Sequence, residues 1–254
     1  MDRLIYTSLS ATASHELNRV QLSNDLANLS TTGYKRASAT TTQAAYVDGP
    51  GLPTRFQPIL STAAQRVELE SGPVSYTGTD TDIAMIDETV LGVQAEDGSI
   101  AFTRRGDLRV SATGLLVTGA GHVVMGEGAP LTVPPGFLID IGPDGSVYAT
   151  DPNEEAGAPA QIGSLMLRDA STTPMYRRLD GLYETQTAAG AGGDFETGPN
   201  PVSIAVGALE GSNVNPVEVM VNMLDLYRSF EMQMKMIKKS EELDQDGARM
   251  IALR

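Results

Sequence analysis

The sequence predicts an α+β fold, with N- and C-terminal helices forming a coiled-coil-like pair and an antiparallel all-β domain inserted between them. Three observations carry this: where glycine and proline fall, how charge divides along the chain, and where the apolar spacing changes. All 14 prolines lie between Pro50 and Pro216, and 24 of the 26 glycines lie between Gly49 and Gly211. Both residues break helices and mark turns, so the middle is turn-rich and the ends are free to be helical. Residues 1–47 carry a net charge of +1 and residues 216–254 of −1, so residues 48–215 alone hold the −14 of the 254-residue chain. Boundaries follow at 1–47 for an N-terminal assembly helix and 48–75 for an extended connector. An antiparallel β domain takes 76–212, and a C-terminal assembly helix takes 213–254.

The first helix is expected over roughly Asp2 to Leu29, with Leu9, Ala13, Leu17 and Val20 on one face and Leu22, Leu26 and Leu29 on an adjoining one. Thr7, Ser8, Ser10, Thr12 and Ser14 lower its intrinsic propensity, so packing must hold it and the free subunit is expected to order it poorly. Pro50, Pro53 and Pro58 make the following stretch a connector. Beyond Gly72 the pattern is of strands: Ile100–Thr103, Leu108–Val110, Leu115–Val117 and His122–Met125, parted by glycine-bearing turns. Phe137–Ile141 and Ser146–Tyr148 flank Gly142-Pro143-Asp144-Gly145, which predicts a hairpin. Further strands are expected at 161–167 and 202–209.

The last helix has the strongest start signal in the chain. Asn215 is the cap, Pro216 suits the first helical position, and Glu218 is placed to bond back to the cap, with Val214 and Val219 as a hydrophobic staple. Met220, Met223, Tyr227, Phe230, Met234 and Ile237 then recur at spacings of 3, 4, 3, 4 and 3, a heptad seam, and Val217, Val221 and Leu224 add a second apolar row. Six of the 11 methionines are in this segment. A helix apolar on several faces needs several neighbours, which predicts assembly with copies or partners.

Composition excludes several functions. A chain with 32 acids against 18 bases lacks the basic surface of a nucleic-acid binder. No cysteine is present for a disulfide, thiolate metal site or nucleophile, and His15 and His122 have no partner at ligand spacing, so neither metal nor cofactor is expected. No run approaches the roughly 18–20 apolar residues of a membrane span, which argues against direct membrane insertion. The opening Met1–Leu17 is polar where a secretory signal has its apolar stretch.

The remaining candidates have plain readings. Asp80, Asp82, Asp87 and Glu88 form the densest carboxylate group, but their spacing misses the calcium-loop pattern and reads as a solvated loop. Gly119, Gly121, Gly126 and Gly128 are turns, since no phosphate-binding spacing accompanies them. Arg105-Gly106-Asp107 reads as a turn between strands, His122 as a packed or surface residue, and Asn28-Leu29-Ser30 as a formal sequon only.

Three stretches resemble a known family. Asn24-Asp25-Leu26-Ala27-Asn28-Leu29-Ser30-Thr31-Thr32-Gly33-Tyr34-Lys35-Arg36 is similar to the N-terminal signature of flagellar basal-body rod and hook proteins. Leu209-Glu210-Gly211-Ser212-Asn213-Val214-Asn215-Pro216-Val217-Glu218, continuing through Phe230–Lys235, is similar to the C-terminal signature. Phe102–Asp107 and Gly126–Pro134 resemble the family's centre. Asp87-Glu88-Thr89-Val90 departs from it, where relatives carry Asp-Gly and an aromatic. The opening residues and the length are most similar to the proximal-rod branch, with a distal-rod or hook-type subunit as the alternative.

The resemblance implies a structural, non-enzymatic subunit of the periplasmic rod, polymerising through terminal helices that form an inner tubular layer and transmit torque. It implies other rod subunits and the adjoining rod and hook proteins as partners, and passage through the flagellar type III export apparatus without a cleaved signal. A carboxylate-dependent cell-wall glycan hydrolase acting through the acids near 80–88, and a monomeric binding module, stand as the readings from other classes.

Overall fold

A computed structural model describes residues 2–38, 45–47, 54–56, 66–152, 159–187 and 190–252. Most of the expected connector at 48–75, and the side chains of Leu9 and Ala13, lie outside the described residues. The chain forms two compact units. One comprises Met1–Ala27, Ala39–Ala63 and Asn215–Arg254, and the other Asn28–Ser38 and Ala64–Val214.

The first unit contains α1, Asp2–Ala27, and α2, Pro216–Ala252, together with a short antiparallel pair, Ala45–Val47 with Thr54–Phe56. Poor intrinsic propensity in α1 is offset by packing on α2. His15 meets Gln233 and Arg19 meets Tyr227, so numbers rise along one helix as they fall along the other and the pair runs antiparallel. Asn28 to Ser30 turn away from α1, with the Thr31 N–H donating to the Asn28 carbonyl at 3.2 Å.

The second unit is antiparallel throughout its described strands. Its largest sheet runs in the order Ala37–Ser38, Arg66–Val67, Met175–Arg177, Tyr183–Thr187, Ile100–Thr103, Thr89–Gln94, Val123–Val124, Leu116–Thr118, Leu108–Val110. Leu167–Asp169 adds to Thr89–Gln94, and Gly190–Ala191 to Tyr183–Thr187. Thr89–Gln94 is central and covered on both faces. Leu91 and Val93 point into one core with Ile83, Leu116, Val124 and Ile141, while Val90 joins Phe102, Met166, Met175, Tyr183 and Phe195 in a second. The alternation of a strand sends successive side chains to opposite sides, so one strand serves two cores. Phe102 meets Phe195 edge to face at 4.9 Å.

Expected strands at 100–103 and 108–110 have the predicted limits, and the hairpin at 142–145 joins Leu138–Ile141 to Ser146–Thr150. Asp144 closes that turn by accepting the N–H and hydroxyl of Ser146 at 3.1 and 2.9 Å. Two expected strands are each broken. The 161–167 segment is Ala160–Ser164 followed by Leu167–Asp169, with Leu165 bridging to Gly126 between them. The 202–209 segment is Ile204–Val206 and Ala208–Glu210, hinged at Gly207. Its halves pair with Ile83–Met85 and Val74–Tyr76 respectively.

Candidate assembly interface

The cap of α2 forms from Asn215 itself. Its Oδ1 accepts the N–H groups of Val217 and Glu218 at 3.0 and 3.4 Å, its carbonyl accepts the first intrahelical bond from Val219 at 3.1 Å, and Pro216 has no donor to satisfy.

Along α2 the least exposed row is Val219, Asn222, Leu226, Ser229, Gln233, Ile237 and Ser240. Four of these seven are polar. Leu226, Ser229 and Gln233 face α1, where His15 Nε2 lies 3.2 Å from Ser229 Oγ and 2.6 Å from Gln233 Nε2. His15, Glu16 and Arg19 with Leu226, Tyr227 and Phe230 enclose a cleft of about 160 Å³. The seam read from the sequence lies at the border of this face. Met223 and Ile237 are half-buried, Met220 and Met234 are 55% and 47% exposed, and Tyr227, 51% exposed, stands at the rim of the cleft. Phe230 is 41% exposed at the cleft. The second row is fully outward, with Val217, Val221 and Leu224 exposed by half or more, and Met232 and Met236 are exposed as well.

Within this unit α2 thus meets α1 through a mixed row that includes polar Ser229 and Gln233, and leaves Val217, Met220, Val221 and Leu224 exposed. On α1, Leu17 and Val20 are exposed, while Leu22 and Leu26 are half-buried; Leu29, also half-buried, belongs to the turn beyond the helix.

The other sequence candidates do not converge on a reactive site. Asp80, Asp87 and Glu88 are exposed, and Asp82 accepts the Thr77 hydroxyl at 2.7 Å. Among the described residues no group of three or more histidines, aspartates or glutamates is placed to hold a metal ion. Arg105 and Asp107 are paired with each other through two hydrogen bonds of 2.6 and 2.8 Å, and a Cβ on Gly106 would lie 1.7 Å from the Ile83 carbonyl oxygen, so this tripeptide is folded inward rather than presented. His122 is half-buried beside a turn in which its carbonyl accepts the Thr118 N–H at 2.9 Å.

Sequence reasoning missed a buried charged cluster in the β unit. Glu210 Oε1 accepts Lys35 Nζ at 2.6 Å, Arg104 Nη2 at 3.0 Å and the Gly72 N–H at 2.9 Å, and Oε2 accepts Arg104 Nε at 2.7 Å. All three side chains are fully buried. Lys35 also donates to the Glu70 carbonyl at 2.7 Å, and Arg104 to the carbonyls of Met85, at 3.0 Å, and Asp87. Burial, with the Arg104 charge adding to it, pushes the Lys35 amine down to about 8 against the opposing pull of Glu210.

Around this cluster the Gly33 N–H donates to the Glu210 carbonyl at 2.8 Å, and the hydroxyl of buried Tyr183 donates to the Gly33 carbonyl at 3.1 Å. Arg177 lies over the Tyr34 ring at 4.3 Å. Asn213 ties the same segments again, accepting the Arg36 N–H at 2.7 Å and donating to the Glu68 carbonyl at 3.0 Å. The signal available in the sequence was that Lys35, Arg104 and Glu210 fall one in each of the three stretches that resemble the family, 24–36, 102–107 and 209–218.

Comparison with known proteins identifies the family. Residues 205–250 match the family model described as Flagellar basal body rod FlgEFG protein C-terminal, and residues 89–149 that described as Flagellar hook protein FlgE/F/G D1 domain. The flagellar basal-body rod protein FlgF of Salmonella typhimurium is 39% identical over 244 residues, covering 95% of each chain. That of Escherichia coli is 37% identical over 245 residues, again 95% of each. The flagellar basal-body rod protein FlgG of Buchnera aphidicola from Schizaphis graminum is 30% identical over 257 residues, covering 94% of this chain and 96% of its own. Identity at this level along nearly the whole length shows that the chain belongs to the flagellar rod FlgEFG family, as a FlgF-like structural subunit of the basal-body rod.

Proposed function

We propose that this subunit enters the rod by burying the outward rows of α2 against neighbouring subunits, so that the terminal helices build the inner, torque-bearing layer. The observation that carries the reading is the packing of α2, which places polar Asn222, Ser229, Gln233 and Ser240 on its least exposed row and leaves Val217, Met220, Val221 and Leu224 exposed by half or more. Contacts of one apolar helix face with a different surface of the next copy are heterologous, and repeat into a helical array rather than closing as a dimer. In this reading residues 1–47 and 213–254 are the assembly segments and pair as a coiled coil once docked. Residues 48–75 connect, and the acidic β domain at 76–212 faces outward. Weak propensity in α1 keeps the free subunit from polymerising before export through the flagellar type III apparatus, without a cleaved signal.

Replacing Phe230 or Met234 by alanine tests the reading. The expected result is loss of the subunit from isolated basal bodies while the β domain keeps its circular dichroism and melting temperature. Normal incorporation of both variants would remove α2 from the interface. The FlgF-like sequence favours the proximal rod, and a distal-rod or hook-type position is the second reading, supported by the 30% identity to a FlgG.

A further inference from the structure

The buried cluster joins parts of the chain that lie far apart in sequence. Lys35 stands in the stretch that follows α1, Glu210 in the stretch that precedes α2, and Arg104 directly after the strand Ile100–Thr103 of the largest sheet. One carboxylate therefore holds the segment through which the chain enters the β unit, the segment through which it leaves, and the end of a sheet strand between them. From these contacts we propose that Glu210, with Lys35 and Arg104, is a positioning latch that fixes the entry at 33–36 against the exit at 210–213, so that the terminal segments are delivered to the growing rod in one register.

Three physical points support this. First, buried ion pairs add little net stability compared with apolar side chains of the same volume, because desolvation offsets their attraction; what they supply is a single allowed geometry. A cluster placed at the junction of entry and exit, rather than within either apolar core, suits that use. Second, the cluster holds two cations and one anion. An extra buried cation is unfavourable for stability, as the lowered basicity of the Lys35 amine reflects, and apolar packing at position 35 would avoid it. Lys35 reaches the carboxylate from the entry segment. Third, every remaining donor used here is directed at a backbone carbonyl of a different segment, Glu70, Met85 or Asp87, so a shift of either end breaks several bonds together.

The proposal rests on the reading that the terminal helices polymerise, and its test separates the two. Glu210→Gln keeps shape and removes the charge. Lys35→Met keeps most of the volume and leaves the Glu210–Arg104 pair balanced. Both are made in the full chain and followed by amide hydrogen exchange and by recovery in isolated basal bodies. Exchange at residues 33–36 is expected to accelerate at least tenfold in both variants. At Gly72, whose N–H bonds Glu210 Oε1, it is expected to accelerate in Glu210→Gln, while the central strand Thr89–Gln94 stays protected. Incorporation into rods should fall at least tenfold, and Lys35→Arg, which retains a cation, should restore part of it.

Unchanged exchange at 33–36 overturns the latch. Equal acceleration at 33–36 and 89–94 in Lys35→Met also overturns it, by making the cluster a general support of the fold. Released ends with normal incorporation overturn the positioning role and leave polymerisation through α2 standing. Polymerisation fails separately if Phe230→Ala and Met234→Ala assemble normally.

Discussion

Gly33→Ala should cost the β unit far more than Gly78→Ala, although both glycines have nearly the same backbone conformation, with φ of 68° and 72°. A side chain at positive φ costs about 1 kcal/mol at either position. At Gly78 nothing lies within 4 Å of an added Cβ, so that is the whole effect. At Gly33 the added atom would sit 2.2 Å from the Arg104 carbonyl oxygen, 2.4 Å from its carbon and 2.5 Å from the Arg105 nitrogen. All three are backbone, so relief requires the chain at 104 to move by roughly 1 Å, since ordinary carbon contacts begin near 3.5 Å. Such a shift stretches the Arg104 bonds to Glu210 at 2.7 and 3.0 Å, and losing one hydrogen bond to a charged partner costs about 1.5–3 kcal/mol. The sum for Gly33→Ala is about 2.5–4 kcal/mol. Urea unfolding followed by the near-ultraviolet circular dichroism of buried Tyr183 would register this as a midpoint lowered by about 0.8–2 M, for a slope of about 2–3 kcal/mol/M. Gly78→Ala would move it by less than half as much. Equal shifts for the two variants would refute the close approach between residues 33 and 104 on which this reasoning depends.

Stability should pass through a maximum near pH 10. Between about 8, the Lys35 value in the fold, and its ordinary 10.5, the unfolded chain holds a proton that the folded one has released, so stability rises with pH, by at most about 3 kcal/mol. Burial pushes the Tyr183 hydroxyl above its ordinary 10.0, so above pH 10 the unfolded chain loses a proton that the folded one keeps, and stability falls. Thermal melts from pH 7 to 11 should show both limbs, with Lys35→Met losing the rising one only. Asp87→Gly should stabilise, because Asp87 is the non-glycine residue at positive φ, 53°, among those described, and only its backbone carbonyl is used by Arg104. A gain of about 0.5–1 kcal/mol, or roughly 2–3 °C, is expected in calorimetry.

Local features were the legible ones. Asn215-Pro216 announced the start of α2, and Gly142–Gly145 announced a hairpin, because in each case the residues that decide the geometry are adjacent in sequence. The turn at Asp87 stands where the departure from the family pattern had marked an unusual site. The stripe on α2 was legible as apolar, but not its orientation. Which face meets α1 depends on His15, more than 200 residues from Ser229 and Gln233, and the heptad rule alone would have turned the apolar seam inward. Breaks at Leu165 and Gly207 were missed because a strand's apolar run does not record that its halves pair in different places. Glu210 was invisible as an ion-former for the same reason. Its partners lie 175 and 106 residues away, and a lone glutamate in a polar signature carries no local sign of burial.

The absence of native cysteine makes one measurement decisive for the assembly surface. Single cysteines at Met220, Leu224 and Tyr227, whose side chains are 51–56% exposed in the subunit, would be alkylated with a maleimide in the purified protein and in isolated basal bodies. Burial of the outward face of α2 between subunits predicts rapid labelling in the first and protection in the second at all three positions. Labelling in assembled rods as fast as in the free subunit would contradict it.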